Sequence, residues 1–90
     1  MARRERIDIV LDMLTAIRDK GGKIKPTHLM YKANLTHRQM KSYLDDLVNK
    51  NFMGYEKIKD AKYILITDEG RKFIEKIYEM QDFEKMFGIE

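Results

Sequence analysis

The segment Leu35-Thr36-His37-Arg38-Gln39 constrains this chain more than any other. A threonine followed three residues later by glutamine is a capping box: the hydroxyl accepts from the third helical N–H, and the Gln side chain accepts from the threonine N–H. That reciprocal pair fixes where a helix starts. From there Met40, Tyr43, Leu44, Leu47 and Val48 recur at helical spacing, until the polar run Asn49-Lys50-Asn51 favours a turn. Upstream, Pro26 to Lys32 reads as a short helix, since proline lacks an N–H and suits a first turn, and it carries Leu29, Met30 and Ala33 inward. Asn34 follows where a left-handed backbone is required, which asparagine tolerates. Two helices are thus joined by about three residues, the spacing of a helix-turn-helix over about residues 26–50.

The rest of the chain supplies what such a corner packs against. Ile7, Val10, Leu11, Leu14 and Ile17 form one helical stripe, ended by Gly21-Gly22, and Ile24 makes a short strand. Residues 52–58 and 62–66 are aromatic and β-branched, with Lys59-Asp60-Ala61 between them, and predict a β-hairpin over about 52–66. Thr67-Asp68-Glu69 offers a cap and an acidic first turn to a final helix over about 67–87, with Phe73, Ile74, Ile77 and Met80 at helical spacing. The order is helix, helix, helix, hairpin, helix, a mainly α chain with a small hairpin (α+β), and no linker divides residues 1–90 into two domains.

Ninety residues without cysteine leave no disulfide framework or thiolate metal site, and a core this small is commonly reinforced by oligomerisation. The net charge of +3 conceals a gradient. Residues 20–50 hold seven Lys/Arg against Asp45 and Asp46, +5, whereas residues 67–90 hold four against seven Asp/Glu, −3. One end of the molecule is therefore attracted to a polyanion and the other repelled. The amphipathic start contains Asp8 and Asp12 rather than an apolar signal core, and no apolar run reaches membrane-spanning length, so a soluble, cytoplasmic protein is expected.

The run Thr27-His28-Leu29-Met30-Tyr31-Lys32-Ala33-Asn34-Leu35-Thr36, then Tyr43-Leu44-Asp45-Asp46-Leu47, and then Ile66-Thr67-Asp68-Glu69-Gly70-Arg71 resembles the small archaeal winged helix-turn-helix proteins, among them coiled-coil chromatin proteins and predicted transcriptional regulators. The resemblance extends over nearly the full length. It implies a winged-helix fold, binding of double-stranded DNA in transcription regulation or in organising the nucleoid, and homodimers made through the C-terminal helix.

With Met40, Leu44 and Leu47 inward, a rotation of about 100° per residue turns Arg38, Ser42 and Asp45 outward and sets His37, Gln39 and Lys41 on the flanks. A helix fits the major groove, where Arg38 can bond guanine bidentately; Gln39 can pair with adenine or stay in the capping box. Thr36, the helix N-terminal amides and Lys41 suit phosphates. Asp45 argues against insertion beyond the first two turns. Lys57, Lys59 and Lys62 surround the hairpin tip, either to contact DNA or to protect an edge strand. Arg3, Arg4 and Arg6 either add phosphate contacts or form a solvated terminus.

His28 and His37 stand nine apart with no metal-ligand spacing, and the carboxylates accompany no nucleophile or phosphate loop, so neither cofactor, metal nor catalysis is expected. The last helix carries more apolar residues than closing a domain requires: beyond Ile77 come Met80, Phe83, Met86, Phe87 and Ile89. Either a second copy covers this stripe or it folds back beside the first helix; the dimer is the expectation, matching two-fold symmetric DNA. The competing reading of the whole chain is a protein-interaction module that binds no DNA, with Lys and Arg serving solubility.

Overall fold

The computed structural model describes residues 5–88. Helix α1 (Arg6–Asp19) leads to strand β1 (Lys23–Ile24), then α2 (Pro26–Lys32), α3 (His37–Asn49), strands β2 (Met53–Ile58) and β3 (Ala61–Ile66), and the long helix α4 (Asp68–Phe87). The three strands form one antiparallel sheet in the order β1-β3-β2. Register is Met53 opposite Ile66 through Ile58 opposite Ala61, so Lys59-Asp60 alone make the hairpin turn and Ala61 belongs to β3. Ile24 does pair, opposite Ile64, and makes the hairpin a three-stranded sheet.

Helix α1 lies at the centre, touching α2, α4, β1 and β3. Its buried residues are Val10, Met13, Leu14 and Ile17. The stripe expected from the sequence was displaced on two counts: Met13 is fully buried, while Ile7 is 38% exposed. Neighbours on several sides widen the covered face of α1, and Ile7 stands in the first turn, at the margin of the core beside Val10 and Leu47. The core is completed by Ile24, Leu29, Ala33, Leu35, Met40, Leu44, Leu47, Met53, Ile64, Ile66 and Ile74. No buried polar side chain lacks a hydrogen bond among the described residues.

Two asparagines end helices in the same way. Asn34 (φ 53°) follows α2 and Asn51 (φ 64°) follows α3, each in the left-handed conformation that releases the chain from a helix. The start of α4 is locked more elaborately. The Thr67 hydroxyl accepts from the Gly70 N–H (3.0 Å) and donates to the Asn51 carbonyl (2.6 Å). The Thr67 N–H bonds the Phe52 carbonyl (3.2 Å). One threonine thereby ties α4 to the end of α3 and the start of β2, while Phe52 and Phe73 stack across the same junction with ring centres 4.5 Å apart.

Candidate nucleic-acid interface

The start of α3 is built as its sequence requires. The Thr36 N–H donates to Gln39 Oε1 (2.9 Å) and the Gln39 N–H donates to Thr36 Oγ1 (3.2 Å). Met40, Leu44 and Leu47 face the core, which leaves Thr36, His37, Arg38, Gln39, Lys41 and Ser42 exposed together. The box has a chemical consequence. Gln39 spends its carbonyl oxygen on the cap, so bidentate pairing with adenine, which needs that oxygen as acceptor, requires the cap to open; its amide N–H groups stay available as donors. The Thr36 hydroxyl accepts in the cap and can still donate outward.

The wing stands beside this helix. Lys57 and Lys62 are directly opposite across β2 and β3, a like-charge pair that weakens a hairpin. Lys62 is held with its ammonium 4.2 Å from the centre of the Tyr55 ring. Lys59 occupies the turn with φ 56°, a left-handed conformation that a lysine rarely adopts. A groove of about 200 Å³ runs between α3 and the wing, lined by His37, Met40, Lys41, Asp45, Tyr55 and Lys62 among others. Tyr55 was not singled out in the sequence; it lies two residues before Lys57 on the same face of β2, a position legible only once the pairing is known. Burial, and then the Asp45 carboxylate, hold its phenol above the usual tyrosine range.

Of the sixteen Lys and Arg in the described residues, four are held in ion pairs. Arg6 and Lys50 both bind Asp46 (2.6 and 3.1 Å), and those contacts, Lys50 foremost, hold its carboxyl below the usual range. Lys23 bridges to Glu56 (2.9 Å) and Arg18 to Asp19 (3.0 Å). Among the described residues, Arg38, Lys41, Lys57, Lys59 and Lys62 make no ion pair. Arg6, an expected phosphate contact or solvated terminus, is instead held by Asp46 and lies over the Tyr43 ring (5.0 Å). Arg3 and Arg4 fall outside the described residues, as does Ile89.

A helical corner followed by a hairpin and a closing helix is a known arrangement, and the sequence matches the winged helix-turn-helix family over residues 3–85. This chain belongs to that family. An uncharacterized protein of Methanocaldococcus jannaschii is 31% identical over 78 residues, 87% of this winged helix and 74% of its own length. Among solved structures, Sso10a-2, a DNA-binding protein from Sulfolobus solfataricus, superposes with a TM-score of 0.78 at 24% identity, covering 93% of this chain and 85% of that one. F93 from STIV, a winged-helix DNA-binding protein, superposes with a TM-score of 0.73 at 19% identity, covering 93% and 95%. At these identities the structural likeness is one of fold. In this winged helix α2 and α3 are the helix-turn-helix, β2 and β3 the wing.

The final helix of the winged helix divides into two parts. Ile74 and Ile77 are buried within the subunit, and at 2% exposure Ile77 has no surface to give a partner, which corrects its place in the expected dimer stripe. Beyond it Met80, Phe83, Met86 and Phe87 are exposed, Phe83 by 56%, with the Phe83 and Phe87 rings packed on each other at 4.6 Å. They do not fold back under α1. No helix is long and apolar enough to cross a membrane, and no metal-binding cluster of His, Cys, Asp or Glu occurs, among the described residues.

Proposed function

We propose that this winged helix binds double-stranded DNA by placing the first two turns of α3 in the major groove, with the wing against the adjoining backbone. The observation that carries the reading is the placement of the exposed first turns of α3, with Arg38 and Lys41, beside a wing that carries Lys57, Lys59 and Lys62, the two sharing one groove. Arg38 reads base edges, preferentially guanine; Thr36, Lys41, His37 and Ser42 contact the backbone and flanking edges; Lys57, Lys59 and Lys62 bind phosphates. Arg3 and Arg4 extend the phosphate contacts. Two copies join through Met80, Phe83, Met86 and Phe87 and so present two recognition helices to a symmetric site. The role is transcriptional regulation or chromosome organisation in the cytoplasm, with no catalytic step. The names of the two solved neighbours, both DNA-binding proteins, support the same reading.

Titration of duplex DNA at several salt concentrations tests it. Affinity falls steeply with salt, and the double variant Arg38→Ala/Lys41→Ala binds at least about tenfold more weakly at low salt. Wild-type affinity in that variant removes α3 from the interface. Absence of duplex binding, together with stoichiometric capture of one protein partner, returns the module to protein recognition.

A further inference from the structure

The DNA-facing stripe of α3 contains one residue of the wrong sign. Seven residues after Arg38, a rotation of about 700° brings Asp45 within about 20° of the same line, roughly 10 Å further along the axis. It is exposed and lines the groove between α3 and the wing with Lys41 and Lys62. Its neighbour Asp46 is engaged by Arg6 and Lys50, on the side of α1, whereas Asp45 has no ion-pair partner among the described residues despite the two lysines nearby. Its charge reaches across the groove, where it is felt by the Tyr55 phenol.

Resting on the DNA-binding reading above, we infer that Asp45 is a specificity-determining residue, which penalises indiscriminate backbone contact and selects a cytosine where the third turn of α3 begins, at the limit of the insertion proposed above. The chemistry favours that base. In the major groove cytosine offers only the N4 amino donor, which a carboxylate accepts; adenine sets its N7 acceptor beside the N6 donor, and guanine and thymine present acceptors that repel a carboxylate. A phosphate brought to the same place meets like charge at close range, worth about fivefold in affinity per contact in water. Asp45 therefore lowers affinity for every site except one that supplies the amino group. Arg38 and Asp45 on one line read a guanine and, about three base steps on, a cytosine, at the axial spacing the helix sets.

The test compares wild type with Asp45→Asn and Asp45→Ala by selection from a randomised duplex library and by titration of random-sequence duplex. Both variants are exposed mid-helix changes, and a melting curve for each checks that the fold is retained. The expected result is about a fivefold gain in affinity for random duplex and loss of a cytosine preference at one position of the half-site, while the preference assigned to Arg38 persists. A selection profile in Asp45→Ala identical to wild type at every position overturns the inference and leaves DNA binding standing. Failure of the wild type to bind any duplex brings down the DNA-binding reading and this inference together.

Discussion

Gly70→Ala is the substitution whose outcome the packing dictates most sharply. Gly70 lies in the first turn of α4, where alanine would ordinarily gain about 0.5–1 kcal/mol over glycine through helix propensity. A Cβ built there, however, meets the Phe52 carbonyl oxygen at 2.3 Å, Ile66 Cγ1 at 2.9 Å and Leu14 Cδ2 at 3.3 Å. The first partner is backbone and cannot rotate away. Relief requires α4 to lift from β2, which stretches the Thr67 to Phe52 bond, now 3.2 Å, and parts the stacked Phe52 and Phe73 rings. Overpacking of this kind costs about 1–3 kcal/mol, and loss of the backbone bond about 1 more. After the propensity gain the net is about 1–3.5 kcal/mol of destabilisation, which in a domain of this size lowers Tm by roughly 4–28 °C. Thermal unfolding followed by circular dichroism, at one fixed protein concentration because association shifts Tm, reads it directly. An unchanged or raised Tm refutes the close approach of α4 to β2.

Two further outcomes follow from the surface. Phe83→Glu removes two apolar contacts per symmetric dimer, about 3–6 kcal/mol, and so weakens association at least a hundredfold; light scattering should report a dimer for wild type and a monomer for the variant, and a monomeric wild type ends the dimer proposal. Lys57→Thr relieves the opposition to Lys62 and improves strand propensity, raising stability by about 0.2–1 kcal/mol, while the slope of log affinity against log salt drops by about 0.9. Equal salt slopes for variant and wild type would take Lys57 out of the DNA contact.

What was legible in the sequence was whatever is encoded locally. The capping box is two hydrogen bonds within four residues, and Asn34 ends its helix by its own backbone preference, so α2, α3 and their turn were readable before any tertiary contact was known. Thr67 was readable as a cap for the same reason. Its bond to Asn51, and the collision that reserves position 70 for glycine, were not, because they join segments that only the fold brings together. The buried side of α1 was misjudged at Ile7 and Met13: periodicity gives the angle between residues but not which neighbours will cover them. Spacing alone puts Ile77 in the dimer stripe, because it cannot say how far along α4 the subunit's own packing extends. The wing shows the same limit at its turn. With Lys59-Asp60-Ala61 as the turn, Lys57 would oppose Tyr63; with Lys59-Asp60 it opposes Lys62 and brings Lys62 beside Tyr55. One residue of turn length thus decides whether the basic tip exists as a cluster.

The places where this chain departs from what folding alone would favour are themselves informative. Elsewhere local and global preferences largely agree: α3 and α4 start on threonine caps, and no buried polar side chain goes unbonded among the described residues. Apart from the exposed apolar end of α4, the departures described above lie on α3 and the wing. Lys57 faces Lys62, Lys59 holds a left-handed turn that asparagine or glycine would fill without strain, and Asp45 stands unpaired beside lysines. Each lowers stability slightly or forgoes an available gain, offset in the isolated subunit only in part, by the contact of Lys62 with the Tyr55 ring. In the proposed complex a phosphate against the wing would offset the charges of Lys57 and Lys62, and a cytosine amino group would satisfy Asp45. The same residues that make the free domain less stable than it need be would become mutually consistent in the proposed complex with duplex DNA.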